Sequence, residues 1–399
     1  MRELTDGSTA IVRGALAAGC SFFAGYPITP ASPILMRMLA ELPKVGGVAV
    51  QGEDEIASLG MCIGAAMGGA RAMTATSGPG ISLYSENIGL AIMGEVPLVI
   101  VDVQRLGPST GGATTVSQGD VQFVRWGTAG GYPVIVLSPS SIPECYSLTM
   151  KAFDLSERFR CPVFLLTDKE VALTSNTVPV DEYGEVAVRD RKGTGLAEPG
   201  EVGGATQAAE TDGSRVYRYE PADQVPPMRL YGEGDTVRFT GSTHDERAII
   251  TKDRSTIGAL NRHLIEKIEA HRDEIEMVEA DLEAGAETLW ISYGVTAGAM
   301  REAVALARQG GKRVSALTIL SLWPVPESAI ERAVGGRDDS PNGAGAVERV
   351  VVAELNHGLY RREIERLAPQ MAPAGVEVVG LHRIDGDLLT PRQFLETLP

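Results

Sequence analysis

Cysteine is scarce and scattered. The four residues Cys20, Cys62, Cys145 and Cys161 contain no CxxC pair and lie far apart in apolar or small-residue settings. An iron-sulfur cluster or a structural zinc draws thiolates at short spacing, so the chain is expected to carry neither; four buried reduced thiols is the plainer reading. Histidine is equally thin, five residues with no HxxxH or HExxH spacing, which leaves no histidine-based metal site in view. Basic charge is outweighed, 36 Lys and Arg against 52 Asp and Glu, and no long Lys/Arg run offsets the net −16 locally. That balance repels nucleic-acid phosphates and anionic lipid, and excludes both as expected partners. No stretch reaches the roughly 20 apolar residues that span a bilayer. The start, Met1 to Asp6, is polar and acidic, unlike a secretory signal or a transit peptide. The expected setting is cytoplasmic.

Aromatic residues are few as well, 5%, beside 46 glycines, a composition suited to a sheet whose helices pack closely through small residues. At 399 residues with 44% apolar content the chain is long enough for two cored domains. A helical period over Thr9–Ala18 leads into a short strand, Ser21–Ala24, and a proline-locked turn. Strand Val48–Val50, helix Glu55–Gly69, strand Ala72–Ala75, a glycine-rich turn and a helix around Ser85–Met93 follow. Val99–Val103, Val134–Leu137 and Val163–Leu166 are unbroken apolar runs, the pattern of strands buried on both faces. Residues 1–180 therefore read as one doubly wound α/β domain. Residues 181–284 read as linker or insertion, because Val180–Glu246 is rich in Gly, Pro and charge without a sustained hydrophobic period. Within it Arg247–Leu282 is an amphipathic stretch expected to form one or two surface helices. Residues 285–399 alternate strand and helix again, from strand Leu289–Ser292 to strand Val376–Val379, and form a second α/β domain.

Four short stretches carry chemistry. Glu53-Asp54-Glu55 opens a helix whose next two turns are stripped of bulk at Ala57, Ser58, Gly60, Gly64 and Ala65. A carboxylate there lets a backbone or a flat heteroaromatic ring approach closely; equally, acids at a helix start complement its dipole. In Tyr26-Pro27-Ile28-Thr29-Pro30 two prolines fix a turn, so the Thr29 hydroxyl is held at little entropic cost; an ordinary strand-to-helix turn is the alternative. Thr76-Ser77-Gly78-Pro79-Gly80 is a glycine turn where strand meets helix, at the sheet edge where open α/β sheets bind ligands. Val101-Asp102-Val103-Gln104-Arg105 ends a buried strand on an arginine, whose fork matches a carboxylate, although a lone Arg after a strand is more often a surface charge.

Taken together these stretches resemble the alpha subunits of 2-oxoacid:ferredoxin oxidoreductases, thiamine-diphosphate enzymes. Tyr26–Pro30 with Ala31-Ser32 is similar to their YPITP element, Thr76–Gly80 to their TSGPG turn, and Arg105 with Gly107–Gly112 to their RGGPSTG stretch, with Leu106 where Gly is usual. Gln118-Gly119-Asp120 also fits, whereas Arg125–Gly131 replaces an expected RHG(D/E), so no histidine is assigned a role there. His244-Asp245-Glu246, Leu322–Pro326 and Val352–Asn356 extend the likeness through most of the chain.

The resemblance implies an α/β fold with a pyrimidine-binding doubly wound domain followed by a transketolase C-terminal-like domain. It implies that Glu55 hydrogen-bonds N1′ of the thiamine aminopyrimidine, so that the cofactor's own amino group becomes the base at the thiazolium C2. Tyr26, Pro27, Ile28, Thr76, Ser77 and Gly78 would contact cofactor, and Thr29 and Arg105 the substrate carboxylate; Glu53 and Asp54 would be flanking acids. The magnesium-diphosphate motif, a GDG triplet followed by Asn, is not in this sequence, and Asp385-Gly386-Asp387 lies too near the C-terminus to serve. The diphosphate half, Mg2+ and a [4Fe-4S] cluster are thus expected on a beta subunit. Gamma and ferredoxin-like delta subunits, ferredoxin as acceptor and coenzyme A as co-substrate complete the implied system. The favoured substrate is 2-oxoglutarate, with 2-oxoisovalerate, arylglyoxylate or pyruvate as alternatives. A non-redox thiamine decarboxylase or synthase and a catalytically silent scaffold subunit are the rival functions.

Overall fold

A computed structural model describes residues 2–184, 186–189, 216–232, 237–335, 347–371 and 375–399. Along the chain the strands are β1 (Arg2–Thr5), β2 (Phe22–Gly25), β3 (Val48–Gln51), β4 (Ala72–Thr76), β5 (Leu98–Gln104), β6 (Ile135–Leu137), β7 (Pro162–Asp168) and β8 (Asn176–Pro179). They continue as β9 (Val278–Asp281), β10 (Thr288–Ser292), β11 (Ser315–Ile319), β12 (Ser321–Trp323), β13 (Arg349–Glu354) and β14 (Glu377–His382). The larger sheet runs β12-β6-β7-β5-β4-β2-β3. All its neighbouring strands are parallel except β12, which pairs antiparallel with β6. Every residue of β4, β5 and β7 is buried, which is why these segments are continuous apolar runs and not alternating ones.

Side chains alternate across such strands and so sort into two cores. Val99, Val101 and Val103 of β5 join the core beneath helices Gly7–Ala17 and Ile142–Phe159, while Leu98 and Ile100 face helix Glu55–Met67 on the other side. Asp102 and Gln104, in step with Ile100, therefore belong to this second face. So do Thr74 and Thr76, in step with Ala72 of β4, and Asp168, in step with Leu166 of β7. A face that is apolar at its amino end thus becomes polar at its carboxyl end.

The second sheet, β14-β13-β10-β11-β9, is parallel apart from β9. Two features differ from the expectations above. Val278 was expected within the helical stretch but lies in β9, whose main chain pairs with β11, and Leu260, Leu264, Ile268 and Ile275 are fully buried, so helix Arg254–Glu269 is a core helix with one charged side. The strand β12, from the C-terminal part of the chain, closes the edge of the N-terminal sheet; its last residue, Trp323, is 4% exposed and donates its indole N–H to the Val121 carbonyl at 3.2 Å. The 18-residue helix Ile142–Phe159, for which the sequence raised no expectation, is capped by Ser141, while Glu144 reaches back to the Ser140 N–H at 2.7 Å.

The described part of the glycine- and charge-rich segment is not a free linker. Tyr217, Tyr219 and His244 are buried beside Leu260 and Leu264, and the backbone N–H groups of Val216 and Tyr217 both donate to the Glu246 carbonyl. Below it sits a closed ion cluster. Glu95, wholly buried, accepts from His263 Nε2 at 2.9 Å and Lys267 Nζ at 3.0 Å, and Lys267 also reaches the Arg160 carbonyl at 3.2 Å. This network ties helix Arg254–Glu269 to the first α/β unit, and the apolar cluster of Tyr217, Tyr219, Leu260 and Leu264 packs the segment onto that helix. The four cysteines are all buried and free, and burial pushes the Cys20 and Cys161 thiols up to about 12.

Candidate active site

Three turns at the carboxyl edge of β2, β4 and β5 meet in one place. Arg105, 6% exposed just beyond β5, donates from one guanidinium nitrogen to the Thr29 carbonyl at 2.6 Å and from the other to the Thr110 carbonyl at 2.9 Å. The Tyr26–Pro30 turn and the Gly107–Gly112 loop are therefore tied through the same side chain that was expected to bind substrate beside Thr29. Its Nε has no partner among the described residues. Gly111 makes the loop possible: it sits at φ +47°, and a Cβ there would fall 1.8 Å from the Leu106 carbonyl oxygen. Leu106, in the position usually held by Gly, closes the base of the loop by accepting from Gly112 N and donating to Thr115 O, each at 2.9 Å.

On the other side of Arg105 lies the glycine turn. A Cβ on Gly78 would sit 3.5 Å from the Arg105 Cγ, and one on Gly80 would lie 2.0 Å from Thr76 Oγ1 and 3.1 Å from Glu55 Oε1. Thr29, Arg105, Gly78, Thr76 and Glu55 are thus successive neighbours. Glu55 is the first residue of helix Glu55–Met67 and is 7% exposed, yet no hydrogen-bond partner reaches its carboxyl group among the described residues. The Ser77 hydroxyl is likewise buried without a partner among the described residues, and the buried Thr76 hydroxyl has only the Tyr84 phenol near it. Orphaned polar atoms around an acidic helix start are what a bound polar heterocycle would satisfy. The helix leaves room for one: at Gly64 a Cβ would meet nothing within 4 Å, and at Gly60 only Asn87 Nδ2 at 3.9 Å. Tyr26 and Pro27 stand exposed at the rim, and Ile28 packs partly buried against the first core. Asp54 is the helix N-cap, accepting from Ala57 N at 2.7 Å, so its acid serves the helix; Glu53 is exposed.

Two acids in this site carried no assigned role. Asp102 lies at the polar end of the β5 face, 0% exposed, with the Gly78 backbone N–H and the Asp120 carboxyl as its polar neighbours. Burial, then the neighbouring Asp120, holds its carboxyl well above the usual range, while Asp120 itself is pushed up to about 6 by burial, against the pull of Arg105. A lone carboxylate inside the run Val-Ile-Val-Asp-Val-Gln was the available signal, since a charged residue is seldom buried without purpose. Gln118, part of a stretch that resembles the family, had no role of its own in the sequence. Wholly buried, it bonds to Tyr293 O at 3.1 Å, Leu355 N at 3.0 Å, Thr296 Oγ1 at 3.1 Å and, more weakly, Asp168 Oδ2 at 3.4 Å, which docks the loops after β10 and β13 onto the first sheet.

A threonine and an arginine at a parallel-sheet edge, with a glutamate that has no hydrogen-bond partner among the described residues across a glycine turn, form an arrangement that can hold an organic cofactor beside a small carboxylic molecule. Comparison with known proteins gives the family. Residues 13–257 match the family model described as pyruvate flavodoxin/ferredoxin oxidoreductase, thiamine diphosphate-binding, and residues 286–394 that of pyruvate:ferredoxin oxidoreductase core domain II. The chain belongs to this family of thiamine-diphosphate-dependent oxidoreductase subunits. It is 38% identical to the 2-oxoglutarate synthase subunit KorA of Methanocaldococcus jannaschii over 98% of either chain. With the ketoisovalerate oxidoreductase subunit VorB of Methanothermobacter thermautotrophicus it shares 33% identity over 99% of this chain and 97% of that one. Among solved structures, the 2-oxoglutarate:ferredoxin oxidoreductase of Magnetococcus marinus, with 2-oxoglutarate, coenzyme A and succinyl-CoA bound, superimposes with a TM-score of 0.87 at 29% identity. This chain is covered to 99% and spans 64% of that longer one. No helix of the described residues is long and apolar enough to cross a membrane.

Proposed function

We propose that this chain is the alpha subunit of a 2-oxoglutarate:ferredoxin oxidoreductase, oxidatively decarboxylating 2-oxoglutarate to succinyl-CoA and CO2 with reduction of ferredoxin. The observation that carries the reading is the tethering of Arg105 to the Thr29 turn next to the unpaired Glu55, in a chain whose near-full-length relatives include 2-oxoglutarate synthase subunits. Ketoisovalerate is the second substrate to test, favoured by the VorB likeness.

In this reading residues 1–180 form the pyrimidine half of the site. When bound, thiamine diphosphate supplies the carbanion chemistry that releases CO2. Glu55 accepts a hydrogen bond from the aminopyrimidine and holds the proton-exchanging nitrogen in the right tautomer. Tyr26, Pro27, Ile28, Thr76, Ser77 and Gly78 frame the cofactor. Thr29 and Arg105 fix the substrate carboxylate, Arg105 with the two-pronged geometry that lysine lacks. A beta subunit supplies the diphosphate and Mg2+ site and a [4Fe-4S] cluster; gamma and ferredoxin-like delta subunits and ferredoxin are the further partners, in the cytoplasm.

The test is anaerobic purification of the chain with its partners and assay of coenzyme-A-dependent viologen reduction across a panel of 2-oxoacids. The expected result is one preferred 2-oxoacid, 2-oxoglutarate, and a loss of about 10²–10⁴-fold in turnover for Glu55→Gln with assembly intact. Undiminished turnover in that variant removes Glu55 from the mechanism, and a colourless complex without thiamine favours a scaffold.

A further inference from the structure

Two carboxyl groups of the site have no task in the proposed chemistry. Asp102, on β5, and Asp120, at the start of helix Val121–Trp126, face one another under the Gly78 turn. Both oxygens of Asp102 and Oδ2 of Asp120 are buried, and the groups that act on the Asp102 carboxyl are the Gly78 backbone N–H, which favours its ionised form, and the Asp120 carboxyl, which opposes it. Their positions are fixed from two sides. The Asp120 N–H donates to Gln104 Oε1 at 3.1 Å, one step along the chain from Arg105. Two residues earlier Gln118 is clamped by the second domain, its carbonyl accepting from Asn356 Nδ2 at 2.7 Å and its N–H donating to Leu355 O at 3.0 Å. The acid is therefore carried on a rigid turn, held from the opposite domain, to meet a partner that the sheet fixes.

The surroundings decide what such a pair can do. Arg105 is the cation acting on Asp120. Glu55, from its helix, stands beyond Gly80 and Thr76. Tyr84, from the helix side, is engaged with Thr74 at 2.8 Å. Asp168, on β7, is held separately by Val295 N at 2.7 Å and Val171 N at 3.1 Å. Two neighbouring carboxyl groups, one wholly buried and the other half-buried, do not both ionise readily when a single shared cation faces them.

We propose that Asp102 and Asp120 form an acid pair that keeps one proton between them, so that the Arg105 guanidinium faces one negative charge and not two where it meets the substrate carboxylate. With the proton in place the pair and Arg105 are neutral together; without it they carry a net negative charge, which repels an anionic substrate. Substrate binding is then linked to retention or uptake of that proton. No bond to substrate is made or broken by the pair, which makes both acids positioning residues. The inference rests on the reading of Arg105 as the carboxylate clamp.

The linkage has a kinetic signature that a structural role lacks. Above the pair's ionisation, KM for the 2-oxoacid rises by up to about tenfold per pH unit while kcat, set by the already protonated complex, stays level. Asp102→Asn fixes the neutral partner, and its KM is expected to stay flat over the same range. Asp168, whose carboxyl burial also raises to about 6, titrates alike in both proteins and cancels in the comparison. The measurement is KM and kcat against pH, from about 6 upward, for the whole complex and its Asp102→Asn form, with Asp102→Asn/Asp120→Asn as a second variant. An alkaline rise in KM that disappears in the variants supports the pair; a flat wild-type KM, or a rise that persists in Asp102→Asn, overturns it. Infrared difference spectra need no turnover and separate the two readings. A buried protonated-carboxyl band that Asp102→Asn removes, in a complex that turns over no 2-oxoacid, keeps the pair and refutes the functional reading, whereas its absence refutes the pair.

Discussion

Replacing Gln118 by leucine isolates the joint between the two sheets. The side chain of Gln118 is 0% exposed and bonds to four groups, of which the Leu355 N–H and the Tyr293 carbonyl are buried main chain. Thr296 and Asp168 lose less, since a hydroxyl can turn and Asp168 keeps its bonds from Val295 and Val171. Leaving a buried main-chain group unsatisfied costs about 1–3 kcal/mol, so two of them predict a loss of about 3 kcal/mol for Gln118→Leu, with the apolar volume itself retained. Gln118→Glu is expected to be worse at neutral and alkaline pH. It places a carboxylate against Asp168, which burial raises to about 6, and the penalty eases as acid protonates the pair. Denaturant unfolding of the chain gives the stabilities. Hydrogen exchange at Leu355, accelerated in the variant while the centre of β5 stays protected, would localise the effect to the joint. A Gln118→Leu protein within about 0.5 kcal/mol of the parent would refute the reasoning, because substitutions without structural consequence fall in that range.

Arg105→Lys keeps charge but loses the fork that spans Thr29 and Thr110; KM for the 2-oxoacid is expected to rise about 10–100-fold with a smaller change in kcat, and an unchanged KM would exclude the clamp. Gly111→Ala drives a Cβ into the Leu106 carbonyl at a positive φ, so the loop that Arg105 braces must shift; weaker substrate binding with near-parental melting is the outcome to look for in parallel KM and thermal scans. Glu95→Gln leaves Lys267 buried with its charge uncompensated, for a loss of about 3–5 kcal/mol by chemical denaturation at neutral pH. Burial alone would raise the Glu95 carboxyl, but Lys267 and Arg160 hold it below the ordinary carboxylate range. Its contribution is therefore present above the ordinary value of 4.5 and is lost as pH falls through the lower folded value, so parent and variant stabilities should converge in acid.

Much of the fold and of the candidate site was legible in the residues, for identifiable reasons. Strands buried on both faces write themselves as apolar runs, as in Val99–Val103 and Val163–Leu166, and turns demand particular residues, as at Tyr26–Pro30 and Thr76–Gly80. What escaped was what periodicity does not encode. Strand β12 joins the first sheet although it follows β11 of the second by a single residue, because pairing partners are chosen in space. The polar segment around Tyr217 and His244 is fixed by a buried ion cluster contributed by Glu95, His263 and Lys267, residues drawn from two distant parts of the chain.

The sequence by itself determined the two α/β units and the turns at the sheet edge, while its resemblance to a known family pointed to Thr29, Glu55 and Arg105 as the residues of the proposed site. Local backbone chemistry and strand patterning act over a few residues, and they are written in order along the chain. Only the tertiary structure decided that Arg105 is tethered to the Thr29 carbonyl, that Gln118 locks the domains together and that Asp102 meets Asp120. Each of these depends on groups brought together from separate strands and turns, and the burial that alters the chemistry of the two aspartates exists only once both sheets have closed over them.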